Sequence, residues 1–555
     1  MPRRSLTRLY KDEFSGYSFF KFKKDLYAGF NVALMALPLA LAFGAASGVS
    51  AGAGLITSIV GGILIGLLSG APYQISGAKA VTSVVLIVLI NQYGLEGIWV
   101  ASLLSGILML IIGILRLGRF IAFIPAPVIN GFTAGISIVI IIRQIDSFAG
   151  IHTPTTETAA QKLIAYFTTS GLIPNLHAIL IGMLVIGIML LWPAKWNDRF
   201  PSSLAGLITA ALLNYAAGWS AATISFIPQT LFLEQRFSFA TIPWQHMSEF
   251  IAPALTLTAL GSVEALMTGA AGSDMTGIRL QVNQQLIAQG AGNIALPFFG
   301  AIPTTSGILR SKFAIRSGAQ TRLVSIIHAL VLMMIMFTLA RLLEFIPLAA
   351  LAAVLMVTAI RSIETSSIQF IFRNRFKTDM IAFSIALAAT VALNLTNAIL
   401  IGTFLAGAVF LNKIASIDIT IQEVDIDRLK QKGIETAGQC KHVRVAFLTG
   451  PLFFAATGQF NETFADLRET HALILSMRGV SLIDTAGLDA IQHLHQRLQK
   501  QGGMLMFAGV HENARTMMER GGLIKLLGEE NFFWSSDQAI VEAERRGCQF
   551  CSSET

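Results

Sequence analysis

The chain has 555 residues, of which 54% are hydrophobic and only 13% charged, about half the charged fraction of ordinary soluble proteins. Its formal net charge of +8 does not point to nucleic acid, because the lysines and arginines sit in short loops between apolar runs and form no basic face that could follow a phosphate backbone. The shortage of charge ends near Ile417, so the expected organisation is a cytoplasmic segment 1–24, a membrane domain 25–413, a linker 414–439, a soluble domain 440–548 and a tail 549–555.

A hydrocarbon core about 30 Å thick takes about 20 apolar residues as a helix. Segments are predicted over 27–45, 54–69, 77–91, 97–115, 120–143, 172–192, 201–219, 249–270, 285–299, 307–316, 322–341, 346–360, 379–394 and 397–412, about fourteen in all. The third and tenth are too short to cross alone. Basic clusters follow the even-numbered segments: Arg116 and Arg119, Lys195 and Arg199, Arg279, Arg316 and Arg322, then Arg361, Arg373, Arg375 and Lys377. With Lys21, Lys23 and Lys24 ahead of the first segment, the positive-inside rule places both termini in the cytoplasm of a multi-pass protein. The expected location is the cell inner membrane.

The two short segments begin alike. Gly70-Ala-Pro-Tyr-Gln-Ile-Ser76-Gly77 precedes the third and Gly300-Ala-Ile-Pro-Thr-Thr-Ser306-Gly307 the tenth, with Gly, Ala, Ser and Gly at identical spacing. An odd number of segments separates the copies, so the second is inverted in the membrane. Paired Gly/Pro-interrupted segments in two inverted halves point to a transporter's substrate site. A half-helix that starts at mid-membrane leaves unpaired N–H groups and a positive dipole end there, which suits an anion.

Charged residues inside the lipid are costly, by about 2.5 kcal/mol or more, and mark function by default. Glu264 lies mid-segment and Thr268, four residues on, shares its face. Lys79 sits two residues past Gly77. An ammonium beside a helix N-terminus needs a counter-charge, so Lys79 and Glu264 are expected to form a buried pair beside the anion, and to carry the coupling. Arg310 is either an attractor on the cytoplasmic approach or an ordinary positive-inside residue. Arg143 and Asp146 are spaced as a structural pair on one helix.

In the tail, residues 442–449, 472–477 and 504–508 read as strands, and Leu488, Ile491, Leu494 and Leu498 as a helix face, giving a small α/β domain. Asp484 or Thr485 caps that helix, and Thr485 is a candidate phosphorylation site. Cys548 and Cys551 form a lone C-x-x-C with no second pair for zinc, so they read as free thiols. No metal cluster, phosphate loop or nucleophile–base set appears, so neither an enzyme nor a cofactor is expected.

Several stretches together resemble the SulP anion permeases, the solute-carrier family 26 type. They are Ala36–Phe43 (ALPLALAF), Ile129–Gly135 (INGFTAG), Gln289–Asn293 (QGAGN), Arg316–Thr321 (RSGAQT) and, opening a C-terminal STAS domain, Gly450–Ala455 (GPLFFA). The resemblance implies a seven-plus-seven inverted repeat with a core domain moving against a gate domain, usually as a homodimer. It implies secondary transport of sulfate, bicarbonate, chloride or a dicarboxylate, by proton coupling or exchange, and a possible cytosolic partner for the STAS domain. By motif position the implied substrate site falls on Ser76, Gly77, Ala78, Lys79, Ala80, Glu264, Thr268, Ser306, Gly307 and Ile308. This chain has Gly77-Ala78-Lys79 where the family commonly reads Gly-Pro-Thr, and Leu39 where a Gln often follows the proline. Lys79 would then stand in the space that sodium takes in sodium-coupled members. A nucleobase permease would lack the STAS domain, and a non-transporting anchor would have no need of Lys79 and Glu264.

Overall fold

The computed structural model describes residues 6–121, 125–197, 200–242, 244–393, 395–414, 417–424, 440, 442–467 and 469–547. The chain divides into two compact units, Met1–Ala406 and Gly407–Thr555. Cys548 and Cys551 lie outside the described residues.

The first half of the helical unit runs α1 (Leu6–Phe14), α2 (Phe19–Ala46), α3 (Ala51–Leu68), β1 (Ser76–Gly77), α4 (Ala80–Ile114), α5 (Gly118–Ile121), α6 (Ala126–Ala149), α7 (Ala159–Thr168), α8 (Leu176–Leu191), α9 (Ala194–Asn197) and α10 (Ser202–Ala216). The second half runs α11 (Ile251–Thr276), α12 (Val282–Ala295), β2 (Thr305–Ser306), α13 (Ile308–Arg316), α14 (Leu323–Leu343), α15 (Leu348–Ser362), α16 (Thr365–Arg373), α17 (Lys377–Ala392) and α18 (Leu395–Ile414). Gly94, at φ 66° and ψ −165°, breaks α4 in two. Each predicted segment therefore has its helix, and β1 and β2 stand at matching places in the two halves. Among the described residues, seven helices are long and apolar enough to cross a membrane.

Two sets of helices pack among themselves: α2, α3, α4, α11, α12, α13 and α14 in one, and α6, α8, α10, α15 and α17 in the other. Small residues set the closest approach. A Cβ on Gly106 of α4 would lie 2.7 Å from the Ile294 amide of α12, and one on Gly290 would lie 2.6 Å from the Gly106 carbonyl. Lipid offers apolar helices no hydrophobic drive to associate, so such backbone-to-backbone contact supplies the packing.

Three features of this unit depart from the pattern expected of its sequence. Helix α2 starts at Phe19, within the stretch assigned to the cytoplasmic segment, because the Ser18 hydroxyl accepts from the Lys21 amide and caps it. Helix α1 was not anticipated. It is tied down by Tyr10, whose hydroxyl donates to the Leu67 carbonyl at 2.7 Å, and by Glu13, 2.8 Å from Arg322. Arg143 and Asp146 do not pair. Arg143 donates to the Thr156 and Glu157 carbonyls, while Asp146 accepts from Lys162 of α7 at 2.6 Å. The chain folds back after α6, and α7 delivers a better-placed cation.

The soluble unit is a five-stranded sheet ordered β3 (Asp418–Glu423), β4 (Val443–Thr449), β5 (Ala472–Gly479), β6 (Met504–Ala508) and β7 (Phe532–Phe533). The β3–β4 pair is antiparallel and the rest are parallel. Its helices are α19 (Thr457–Thr463), α20 (Thr485–Lys500), α21 (Glu512–Arg520), α22 (Leu523–Leu527) and α23 (Ser536–Arg545). Strand β3 lies inside the stretch expected to be linker, and alternate residues Ile419 and Ile421 pack on the core. Asp484 caps α20 by accepting from the Gly487 amide at 2.9 Å, leaving Thr485 exposed on the first turn.

Candidate functional site

Chain reversals before α4 and α13 bring the two repeated motifs together. Strands β1 and β2 pair antiparallel, Ser76 opposite Ser306 and Gly77 opposite Thr305. The Gly307 amide donates to the Ile75 carbonyl at 2.8 Å, and the Ser76 and Ser306 hydroxyls meet at 3.2 Å. Helix α4 starts immediately beyond β1 and α13 immediately beyond β2. Neither start has a side-chain cap. Two positive helix ends therefore converge on one point.

Polar side chains from neighbouring helices fix this crossing. The Thr268 hydroxyl donates to the Ser306 carbonyl at 3.3 Å, Gln74 to the Ala265 carbonyl at 2.8 Å, and Gln289 to the Thr304 carbonyl at 2.6 Å. Extended backbone leaves the helical hydrogen-bond ladder, so each buried carbonyl here needs a partner of this kind.

Glu264 of α11 reaches the crossing from the side. Its Oε1 lies 2.9 Å from Lys79 Nζ, and its other oxygen accepts from the Thr305 hydroxyl. Both charged side chains are under a fifth exposed, at 18% and 19%. The expected pair is thus present and serves as the counter-charge that Lys79 needs beside a helix N-terminus.

A cavity of about 300 Å³ opens at this pair. Of the sequence-predicted residues, Lys79, Ala80, Glu264, Gly307, Ile308 and Arg310 line it. Ser76, Gly77, Ala78, Thr268 and Ser306 do not; they are buried behind it and hold the β1–β2 pair. Arg310 lines this cavity but is only 3% exposed, set deeper than an ordinary loop cation. Its guanidinium donates to the Ala78 carbonyl at 3.1 Å and wedges between the two motifs. That wedge explains the glycines. A Cβ on Gly77 would lie 2.5 Å from Arg310 Nη1, and one on Gly307 would lie 2.7 Å from its Nε.

The opposite wall was not foreseen. Thr133 and Ser137 of α6, Arg361 in the last turn of α15 and Glu364 just beyond it face the same cavity, as does Lys312 of α13. Thr133 and Ser137 are four apart on one helix face, a signal that was available; Arg361 looked like any other loop cation.

Two discontinuous helices starting head to head at a cavity that holds charged side chains within a bundle of apolar helices define the class of a membrane transporter. Residues 22–388 match the sulfate permease family and residues 434–539 the STAS domain; the chain belongs to the sulfate permease family. The putative sulfate transporter YvdB of Bacillus subtilis is 28% identical over 537 residues, covering 95% of this chain and 99% of that one. The bicarbonate transporter BicA of Picosynechococcus is 25% identical over 548 residues, 94% of each chain. The fold is that of the murine solute carrier 26 family member A9, solved in its inward-facing state, with a TM-score of 0.84 at 18% identity over 98% of this chain and 100% of that one.

Proposed function

We propose that the protein is a secondary transporter of small inorganic anions, of the sulfate or bicarbonate kind, working by alternating access across the cell inner membrane. The observation that carries this reading is the meeting of two uncapped helix N-termini at a cavity shared by Lys79, Glu264 and Arg310. The anion docks against the N–H groups at the starts of α4 and α13, with Lys79 and Arg310 adding positive charge and Glu264 setting its balance. The helices carrying the two motifs form the moving body, and α6 and α15 form the wall it moves against. Both termini and the STAS domain are cytoplasmic, and the working unit is a homodimer.

Glu264 already has a cation 2.9 Å away in Lys79, so a sodium ion has no vacant counter-charge to fill. Coupling is therefore to protons through Glu264, or by exchange of one anion for another. The test is uptake of labelled sulfate and bicarbonate into proteoliposomes, with sodium and pH gradients imposed separately. Uptake that strictly requires sodium refutes the coupling; no flux of any small anion refutes the transport reading itself.

A further inference from the structure

The helical unit has a second cavity, larger than the first, at about 800 Å³. Its wall is built from α1, the end of α4, the α11–α12 connection and the turn between α13 and α14. Among the described residues, six charged side chains line it, Arg8, Arg116, Arg279 and Arg322 against Asp12 and Glu13, a formal net charge of two positive. The Glu13 carboxylate lies 2.8 Å from Arg322. Charged and apolar linings alike are separate from those of the Lys79–Glu264 cavity.

The rim has a different chemistry. Ile114 and Ile278 line the cavity and are 55% and 44% exposed, and Leu115 beside them is 61% exposed. Arg116, Arg279 and Arg322 come from connections, and Arg8 from the N-terminal helix, that the positive-inside pattern assigns to the cytoplasmic side, where lipid headgroups lie. Arg116 is held there by an unusual backbone: it takes φ 62°, and the next amide, Leu117, returns to the Ile112 carbonyl at 2.9 Å. A cationic interior with an apolar lip at headgroup depth matches a phosphate attached to hydrocarbon better than a free anion. We propose that this cavity binds a phosphate-bearing ligand, the headgroup of an anionic phospholipid, and that the bound phosphate fastens α1 to the end of α4 and the α11–α12 connection.

The test uses the full-length protein purified in a neutral detergent. Its thermal unfolding is followed while short-chain phosphatidylglycerol, short-chain phosphatidylcholine or inorganic phosphate is added. Phosphatidylglycerol is expected to raise the midpoint saturably, and phosphatidylcholine to leave it unchanged. Each neutralised arginine weakens such binding about five-fold, so the Arg116→Gln/Arg279→Gln variant should need about 30-fold more phosphatidylglycerol for the half-maximal effect. Both side chains are exposed, and an Arg116→Lys/Arg279→Lys variant, which keeps the charge, should retain most of the response. If inorganic phosphate matches phosphatidylglycerol at equal concentration and shows the same arginine dependence, the site is one for soluble phosphate compounds and the phosphate chemistry stands. The proposal is overturned if neither phosphate source exceeds phosphatidylcholine, or if the glutamine variant responds as the wild type does.

Discussion

The Lys79–Glu264 pair supports a quantitative test of the site. At 2.9 Å and an effective dielectric of about 20, the gross attraction is about 5–6 kcal/mol. Both side chains are more than four-fifths removed from solvent, and desolvation takes back several kcal/mol. The expected net coupling is about 2 kcal/mol, well inside the range for residues in contact. Lys79→Met strands the carboxylate and Glu264→Gln strands the ammonium beside two positive helix ends, so each single variant should unfold more easily than the wild type. The double variant strands nothing, and its loss should fall short of the summed single losses by about 2 kcal/mol. Unfolding of the detergent-purified protein gives the stability arm, and labelled-anion uptake into proteoliposomes gives the transport arm. A 2 kcal/mol imbalance is about 30-fold in an equilibrium constant, so uptake should fall by at least ten-fold in Glu264→Gln, which keeps the shape and a partner for Thr305 but not the charge. Additive stability losses, with wild-type uptake in all three variants, would refute the reasoning.

Other outcomes follow from the same structure. Gly77→Ala places a methyl 2.5 Å from Arg310 Nη1 and 2.7 Å from Ser58 Oγ; overpacking should cost about 1–3 kcal/mol and abolish uptake, whereas wild-type flux would show that the crossing has room. Asp25 is fully buried and accepts from the Gln320 and Thr321 amides and from the Thr321 and Tyr17 hydroxyls. Asparagine has one acceptor oxygen, so Asp25→Asn should cost about 2–4 kcal/mol by thermal unfolding. Burial, then the Asp25 contact, pushes the Tyr17 phenol well above its ordinary range. The unfolded chain loses this proton first, so stability is intact below about pH 10 and declines as pH rises beyond it; Tyr17→Phe should flatten that alkaline decline. In the soluble unit, burial lowers His495, whose Nδ1 has no hydrogen-bond partner. The unfolded chain takes up that proton first, so stability is complete above about pH 6.5 and falls on acidification. Hydrogen exchange over β4, β5 and β6 should quicken below that pH in the full-length protein, and less so in His495→Gln.

The membrane itself made much of the fold legible. A span must be apolar along its whole length to satisfy lipid, so fourteen segments could be counted, and Gly and Pro interrupt them in register at the two places that meet as β1 and β2. Glu264 and Lys79 were visible for the same reason, because a charge inside lipid needs a cause. What stayed hidden depended on distant partners. The nine residues of α1 are ordered by Leu67 and Arg322, and no local pattern announces that. Asp146 was matched to Arg143 by a spacing rule that sees one helix, whereas its partner Lys162 arrives on another. The strand Asp418–Glu423 alternates only two isoleucines with polar residues, a weak signal at an exposed sheet edge. Arg310 sits on a nine-residue helix whose first turn is pressed against β1, so periodicity alone could not say which way it faced.

These contacts bear on why the site should bind its anion before it moves. The cavity is lined by Lys79, Arg310, Lys312 and Arg361 on the positive side and by Glu264 and Glu364 on the negative. To that excess of two charges the starts of α4 and α13 add about half a charge each. Arg361 and Glu364 offset each other on the wall, so an unloaded site carried through the low-dielectric interior of the bundle would take the excess of Lys79, Arg310 and Lys312 over Glu264 with it, at a cost that rises steeply as the dielectric falls. A bound anion cancels most of it, and a divalent one cancels the side-chain excess completely. In the proposed cycle the anion is therefore both cargo and counter-charge. On the proposed reading the electrostatics that attract the anion also ease the crossing of the loaded form, and the expected outcome is exchange over leakage.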